Sequence, residues 1–242
     1  MTYSNTKIES TELYSKHHLD ISNKKITVYP SSVPDRPIVY LNTVEEEGEQ
    51  IYHALCHAKY PEFTLITING LTWHHDMSPW EIAPISKNSP PCTGGADKYL
   101  QLLIHEIVPQ AEKLVPGDVL WRGLAGYSLA GLFAIYSIYQ TDLFSRIASI
   151  SGSLWFPGFK EYIFSHNMKN MPKHLYLSLG NRECKTKNPY LKTVQTCTEE
   201  IKTFYTQKGI DTTFQLNPGD HFKNAVQRTA CGIAQIITAQ DI

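Results

Sequence analysis

Residues 120–139, LWRGLAGYSLAGLFAIYSIY, contain the stretch that decides the fold, Gly126-Tyr127-Ser128-Leu129-Ala130-Gly131. A short apolar run, Val119-Leu120-Trp121, and then Gly123-Leu124-Ala125 precede it. After it, apolar residues recur at helical spacing with Ala and Gly between them. This pattern predicts a strand, a tight turn at the serine and then a helix.

The serine at this turn resembles the nucleophile elbow of the α/β-hydrolases, whose signature is G-x-S-x-G. The turn must be sharp enough to lift the hydroxyl out of the sheet, which strains the serine backbone. Small neighbours are needed because the helix returns close to the strand it has just left. Here the fifth position is Ala130 and a glycine follows it, so the match is inexact. The alternative is a buried strand–helix corner whose serine caps the helix, and the motif alone does not decide between the two.

Composition excludes several classes of protein. The 242 residues are 42% hydrophobic and 19% charged, which is ordinary for a soluble globular chain. A net charge of −1 gives no indication of nucleic acid or of an anionic membrane surface. The first seven residues lack the apolar core of a signal peptide. The five cysteines are scattered and have no C-x-x-C spacing, which indicates reduced thiols. These features predict a cytoplasmic location, no membrane partner and no zinc framework.

Strands and helices alternate along the chain. Short apolar runs predict strands at residues 16–21, 25–29, 38–41, 63–68, 146–150, 174–179 and 212–216. Helical spacing predicts helices starting near residues 51, 96, 159, 193 and 223. The first two runs, joined by Ser22-Asn23, predict an antiparallel hairpin edge. The rest predict an α/β fold over residues 1–242, a single domain with a mostly parallel central sheet and helices on both faces.

The segment 71–95 contains Pro79, Pro84, Pro90 and Pro91, which rules out a long regular element. Long loops inside compact domains are more often functional or mobile than purely connecting. The sequence therefore predicts that this loop borders the active site and is comparatively mobile.

Three reactive residues follow three late strands: Ser128, Glu183 and His221. Ligands of parallel sheets bind beyond the carboxyl ends of the strands, and the order Ser, acid, His is that of the α/β-hydrolase triad. A serine hydroxyl needs an imidazole to take its proton, and a carboxylate fixes the tautomer of that imidazole. Asp211 and Asp220 are rival acids, but the first precedes its strand and the second adjoins the histidine.

An oxyanion hole needs two backbone N–H groups directed at the developing charge. The N–H of Leu129, the residue after the nucleophile, is expected to be one donor. The other should come from the loop after strand 38–41, so Val44 or its neighbour Thr43 is expected. In the adjoining run Glu45-Glu46-Glu47, the carboxylates suit a helix start. If that run borders the oxyanion loop, it would disfavour strongly anionic substrates.

Six blocks of the sequence together resemble the putative esterase family, which includes esterase D and bacterial siderophore esterases. They are Tyr40-Leu41-Asn42-Thr43, residues 73–80, residues 126–131, residues 151–155, Leu179-Gly180-Asn181-Arg182-Glu183 and Gly219-Asp220-His221-Phe222. The resemblance implies an α/β-hydrolase fold and hydrolysis of carboxylic esters. It places the nucleophile at Ser128, the base at His221 and the acid at Glu183, although siderophore-esterase members can lack a full triad at the acid.

Trp73, Trp155 and Tyr127 are the candidate substrate-binding residues, because each lies near a strand end on the expected site. The run Trp73-His74-His75-Asp76 lacks the i, i+4 spacing of a helical metal pair, so no metal is predicted and Asp76 is expected to hold the loop by hydrogen bonds.

The sequence thus predicts a serine esterase acting through an acyl-enzyme on a small-molecule ester, which could be siderophore-type, without a cofactor. An acyltransferase or thioesterase with the same triad and a catalytically silent binding scaffold are the alternatives. The sequence leaves the oligomeric state open.

Overall fold

The computed structural model describes residues 16–57, 60–169 and 171–240. The strands are β1 (His17–Ile21), β2 (Lys24–Tyr29), β3 (Ile38–Asn42), β4 (Thr64–Asn69), β5 (Glu81–Ile82), β6 (Cys92–Thr93), β7 (Arg122–Tyr127), β8 (Arg146–Ile150), β9 (His174–Gly180) and β10 (Asp211–Asn217). The α-helices are α1 (Glu47–Cys56), α2 (Trp73–Asp76), α3 (Ala96–Leu102), α4 (Val108–Ala111), α5 (Leu129–Gln140), α6 (Phe159–Ser165), α7 (Val194–Gln207) and α8 (Ala225–Thr238).

Eight of the strands form one sheet in the order β1-β2-β4-β3-β7-β8-β9-β10. β1, β2 and β4 pair antiparallel, and every pairing from β4 to β10 is parallel. The turn between β1 and β2 is the expected pair Ser22-Asn23, and both residues have positive φ, 49° and 63°. Such angles match a two-residue hairpin turn to the twist of its strands. The prediction of a mostly parallel sheet with an antiparallel edge is confirmed.

Helices cover both faces of the sheet. One apolar cluster joins residues of α1 and α8 to one face, and a larger one joins α3, α5, α6 and α7 to the other. All residues of β3, β8 and β9 are buried, as expected for strands covered on both sides. The α/β-hydrolase fold predicted from the sequence is confirmed.

Several boundaries differ from the prediction. The strand before the elbow begins at Arg122, so the run Val119-Leu120-Trp121 lies outside it, and Leu120 is exposed. The helix predicted over 96–114 is α3, a π-helical turn at Leu103–Ile107, α4 and a 3₁₀ turn at Glu112–Leu114. Pro109 explains the π-helical turn, since a proline ring clashes with the carbonyl four residues before it and the wider turn relieves that clash.

Two further expectations touch residues outside the described ranges. The amino-terminal segment, predicted not to be a signal peptide, lies among residues 1–15, and residue 58, on the helix predicted to start near residue 51, is also outside the described ranges. The single-domain organisation stays a prediction.

Candidate active site

The turn between β7 and α5 has the geometry of a nucleophile elbow. Ser128 adopts φ 59° and ψ −122°, a conformation that a non-glycine residue holds only under strain. A Cβ at Gly126 would lie 2.4 Å from the carbonyl oxygen of Ala130. A Cβ at Gly131 would lie 2.9 Å from the Cα of Gly152. The two glycines therefore allow helix and strand to approach, and the methyl of Ala130 fits because position 126 has none.

The structure brings Ser128, His221 and Glu183 together. The Nε2 of His221 lies 3.1 Å from the Oγ of Ser128, and its Nδ1 lies 2.8 Å from the Oε2 of Glu183. The residues follow the carboxyl ends of β7, β10 and β9, three of the last four strands in the sheet. With Nδ1 protonated toward the carboxylate, Nε2 is the acceptor that faces the serine hydroxyl. This arrangement can remove a proton from Ser128.

Glu183 is buried in a ring of donors, with its side chain only 4% exposed. Besides His221 it accepts hydrogen bonds from the N–H of Gly180, from the hydroxyl of Ser151 at 2.8 Å and from Nη1 of Arg228 at 3.3 Å. Burial would raise the pKa of this carboxyl, but the hydrogen bonds and charge of His221, with the other donors, hold the pKa below its usual value. Glu183 therefore remains ionised beside the imidazole.

Arg228 is a site residue that the sequence reasoning missed. Its guanidinium also donates to the hydroxyl of Tyr127 at 3.3 Å, to Ser151 at 3.2 Å and, through Nη2, to the carbonyl of Pro218 at 3.2 Å. It thus links the ends of β7, β8 and β10 around Glu183. The available signal was its position among the mostly small and apolar residues of α8, about one turn before Gly232, where most residues are buried. A charged residue on an apolar stripe needs a buried partner.

The rival acids lie elsewhere. Asp211 pairs with the Nδ1 of His174 at 2.7 Å, at the amino-terminal ends of β9 and β10. Asp220 accepts from the backbone N–H of Phe222. Neither contacts His221 through its carboxylate in the described hydrogen bonds.

The predicted oxyanion donors differ in how they are engaged. Leu129 opens α5, and the first N–H groups of a helix have no partner within it. The N–H of Val44, by contrast, donates to Oε1 of Glu47 at 3.0 Å, and the N–H of Thr43 donates to the carbonyl of Ile68 at 2.9 Å. The structure therefore leaves neither N–H as an open donor, because the carboxylate of Glu47 takes that of Val44 and the carbonyl of Ile68 takes that of Thr43.

Asn42 is a further polar residue of this region that the sequence reasoning missed. It ends β3 in register with Gly126 of β7, next to the elbow. Its Oδ1 accepts from the hydroxyl of Tyr99, while its buried Nδ2 has no partner among the described residues. A buried unpaired donor is uncommon, so this amide is a notable feature of the wall beside Ser128.

A cavity of about 360 Å³ opens beside Ser128 and His221. Its walls come from the ends of β3 and β7, from α1, α2 and α8, and from the loops between them: Leu41, Asn42, Thr43, Val44, Glu47, Ile51, Trp73, Tyr127, Ser128, His221, Phe222, Ala225, Val226 and Thr229. Two of the three predicted substrate-binding residues, Trp73 and Tyr127, are among them. The hydroxyl of Tyr127 also donates to the backbone carbonyl of His221, so this side chain holds the base as well.

Trp155 is not part of this cavity. It lines a separate depression with Lys160 and Cys197, between α6 and α7. The chain still passes Ser128 at Ser153, whose N–H donates to the carbonyl of Ser128 at 3.0 Å, but Trp155 two residues later is absent from the lining beside the nucleophile. The expectation that Trp155 forms a wall beside the nucleophile is not supported by its position.

The start of the loop 71–95 is anchored rather than open. The carboxylate of Asp76 accepts from Lys24 Nζ at 2.6 Å and from the N–H of Thr72 at 2.8 Å, as expected for a residue that holds the loop. His75 bonds instead to the hydroxyl of Thr93 at 2.7 Å. Across the described ranges, no group of three or more His, Cys, Asp or Glu side chains is placed to hold a metal ion.

Comparisons with known proteins identify the family of the chain. The family model described as "Putative esterase" matches residues 45–227, about three quarters of the chain. The chain belongs to the putative esterase family. An uncharacterized protein of Bacillus subtilis, YbbA, is 26% identical over 199 residues, which is 77% of this chain and 80% of that protein.

Solved structures of hydrolases share the fold of this esterase-family chain. An IroE-like serine hydrolase from Shewanella oneidensis superposes with a TM-score of 0.74 at 19% identity, over 93% of this chain and 80% of that one. The siderophore hydrolase EstA from Aspergillus nidulans gives a TM-score of 0.68 at 18% identity, over 96% and 97% of the two chains. Family and neighbours together support a serine esterase. Within the part of the chain that the structure describes, no helix has the length and apolar character to cross a bilayer.

Proposed function

We propose that this chain hydrolyses a small-molecule carboxylic ester through an acyl-enzyme, with Ser128 as nucleophile, His221 as base and Glu183 as the acid that orients it. The observation that carries the proposal is the continuous line of contacts Ser128–His221–Glu183 that starts at a strained elbow. A binding scaffold has no need for a strained serine aligned with an imidazole and a buried carboxylate.

The chemistry follows from the distances. As the Oγ of Ser128 attacks the ester carbonyl, its proton passes to Nε2 of His221, 3.1 Å away. Glu183, 2.8 Å from Nδ1, stabilises the imidazolium that forms. The N–H of Leu129 donates to the negative oxygen of the tetrahedral intermediate. The imidazolium then gives its proton to the departing alcohol, and a water activated by the same imidazole releases the acid.

A fluorophosphonate probe tests the nucleophile. It should label the wild-type protein at Ser128 and fail to label Ser128→Ala, and the same variant should lose turnover of p-nitrophenyl esters. Ser153 is the sharpest rival because its Oγ lies 3.5 Å from that of Ser128. Ser153→Ala should therefore still be labelled at Ser128. Labelling of Ser128→Ala at another residue, or retained ester turnover, would remove Ser128 from the role.

An ester library then addresses the substrate. The similarity to a siderophore hydrolase makes siderophore-type esters one set to include, next to simple aryl and alkyl esters. Acyltransfer and thioester hydrolysis share the first half of the reaction, so product analysis with added alcohol or thiol acceptors separates them from hydrolysis. A protein that takes no probe and turns over no ester would instead be the silent binding scaffold.

We also propose a cytoplasmic location. All five cysteines are free thiols in the structure, which suits a reducing compartment. Fractionation of the source cells with an antibody to the protein is the direct test.

A further inference from the structure

The wall of the cavity beside Ser128 is mostly apolar. Leu41, Ile51 and Val226 form its floor and sides, from β3, α1 and α8. At its rim, Phe222 is 86% exposed and Val44 is 52% exposed. Apolar side chains that remain open to water beside a reactive serine are suited to contact an apolar part of a substrate.

Glu47 is the one residue with a full negative charge in this wall, and the lining contains no lysine or arginine. Its side chain is half-buried at the start of α1. The nearby guanidinium of Arg228 does not line the cavity, and it is buried against Glu183. Within the described lining, therefore, no cation offsets the charge of Glu47.

The carboxylate of Glu47 is held in place by the loop that precedes it. Oε1 accepts from the N–H of Val44 at 3.0 Å, and Oε2 accepts from the N–H of Glu45 at 2.8 Å. Bonds from N–H groups to an ionised carboxylate are stronger than neutral ones. Both oxygens thus have a fixed partner, and the charge keeps its position beside the cavity.

We infer that this cavity takes an uncharged, apolar part of the ester and that Glu47 selects against substrates with a negative charge on that part. The inference rests on the proposed function, because it concerns the substrate of the same site. Two like charges within about 8 Å at a partly buried site repel enough to change a binding constant by roughly tenfold. A carboxylate-bearing ester also leaves water for an apolar wall with no cation to receive it.

Two series of aryl esters test this inference. In each series a neutral chain is compared with a carboxylate-terminated chain of equal length. The charge is on the acyl side in one series and on the alcohol side in the other. The wild-type protein should show kcat/KM lower by roughly tenfold or more for the charged member of at least one series. Glu47→Gln keeps the size of the side chain and removes the charge, so it should raise kcat/KM of the charged member relative to the neutral member severalfold. Glu46→Gln is the matched control: it removes the same charge one residue away, at an exposed position outside the cavity lining. It should leave the ratio nearly unchanged.

The ratio of charged to neutral substrate is the readout, so any general effect of Glu47→Gln on the loop cancels. Equal rates for both members in both series, or equal effects of the two variants, would overturn the inference. If no ester is hydrolysed above the Ser128→Ala background, the proposed function fails instead. Calorimetric binding of the same esters to Ser128→Ala, with and without Glu47→Gln, then still decides the charge preference. Weaker binding of the charged member that Glu47→Gln relieves supports the inference, and equal binding overturns it.

Discussion

Glu183 and Glu47 are two carboxylates of one site, and their surroundings differ. Glu183 is 4% exposed and accepts from two side chains besides His221 and from the N–H of Gly180. Glu47 is half-buried and accepts only from two N–H groups of its own loop in the described hydrogen bonds. Glu183 is held mainly by side chains from distant parts of the chain, those of Ser151 and Arg228, and Glu47 is held by the backbone of the loop next to it. The carboxylate of Glu183 is thus placed to orient the imidazole of His221, whereas that of Glu47 adds a negative charge to the cavity beside Ser128.

The largest expected effect is on the Glu183 side of this comparison. Glu183→Gln should lower the acylation rate by roughly a hundredfold to ten-thousandfold, since an amide cannot hold the imidazole in its productive tautomer or stabilise its cation. Single-turnover acylation with a p-nitrophenyl ester, followed across pH, measures this, and a melting curve shows whether the variant is folded. A loss below tenfold in a folded protein would leave Ser128 and His221 as a working pair without the acid.

Arg228 should come next, through stability. Arg228→Met leaves Glu183 buried with one cation fewer and should lower the free energy of unfolding by about 3–5 kcal/mol, the range for breaking a buried ion pair. Arg228→Lys keeps the charge but cannot reach Tyr127, Ser151 and Pro218 at once, so it should fall between wild type and Arg228→Met. Urea unfolding of the three proteins tests this order. Equal stabilities would show that the guanidinium does not stabilise the buried carboxylate of Glu183.

A smaller effect should appear in the pH dependence of stability. The pKa of Glu183 is lower in the folded protein than its ordinary 4.5, so on acidification the unfolded chain takes up the proton first. The stability that this carboxylate contributes is present above about pH 4.5 and is lost as the pH falls through the folded pKa. The difference in unfolding free energy between wild type and Glu183→Gln should therefore shrink from about pH 6 to about pH 3. A difference that stays constant over that range would contradict the lowered pKa.

The smallest effect is expected in the loop 71–95. Its first part is held by the Lys24–Asp76 pair, but Trp73 lines the cavity beside Ser128. Hydrogen exchange should slow around Trp73 when a covalent inhibitor occupies Ser128, while residues 86–89, which do not line the cavity, should change less. Unchanged exchange throughout the loop would make it a connection without a role in the site.

Much of the fold and the three central site residues could be predicted from the sequence. Buried strands are continuous apolar runs, and parallel strands place Ser128, Glu183 and His221 at one edge regardless of local detail. That the N–H of Val44 is already engaged could not be predicted this way, because its partner is a side chain three residues later and depends on the loop conformation. The position of Trp155 could not be predicted either, because it depends on the path of the irregular segment after β8, which has no periodic pattern in the sequence.

The contact between Gly126 and Ala130 bears on how relatives of this chain can be found. At position 126 any side chain would meet the backbone of the helix, so that glycine is fixed by the path of the chain itself. At position 130 a methyl is accepted. The helix residue that lies too close to β8 and the turn after it to carry a side chain is the next one, Gly131. A search pattern for elbows of this kind should therefore require the first glycine, admit alanine at the fifth position and ask for glycine at the sixth. The usual five-residue pattern would pass over this serine although its backbone has the required strained turn.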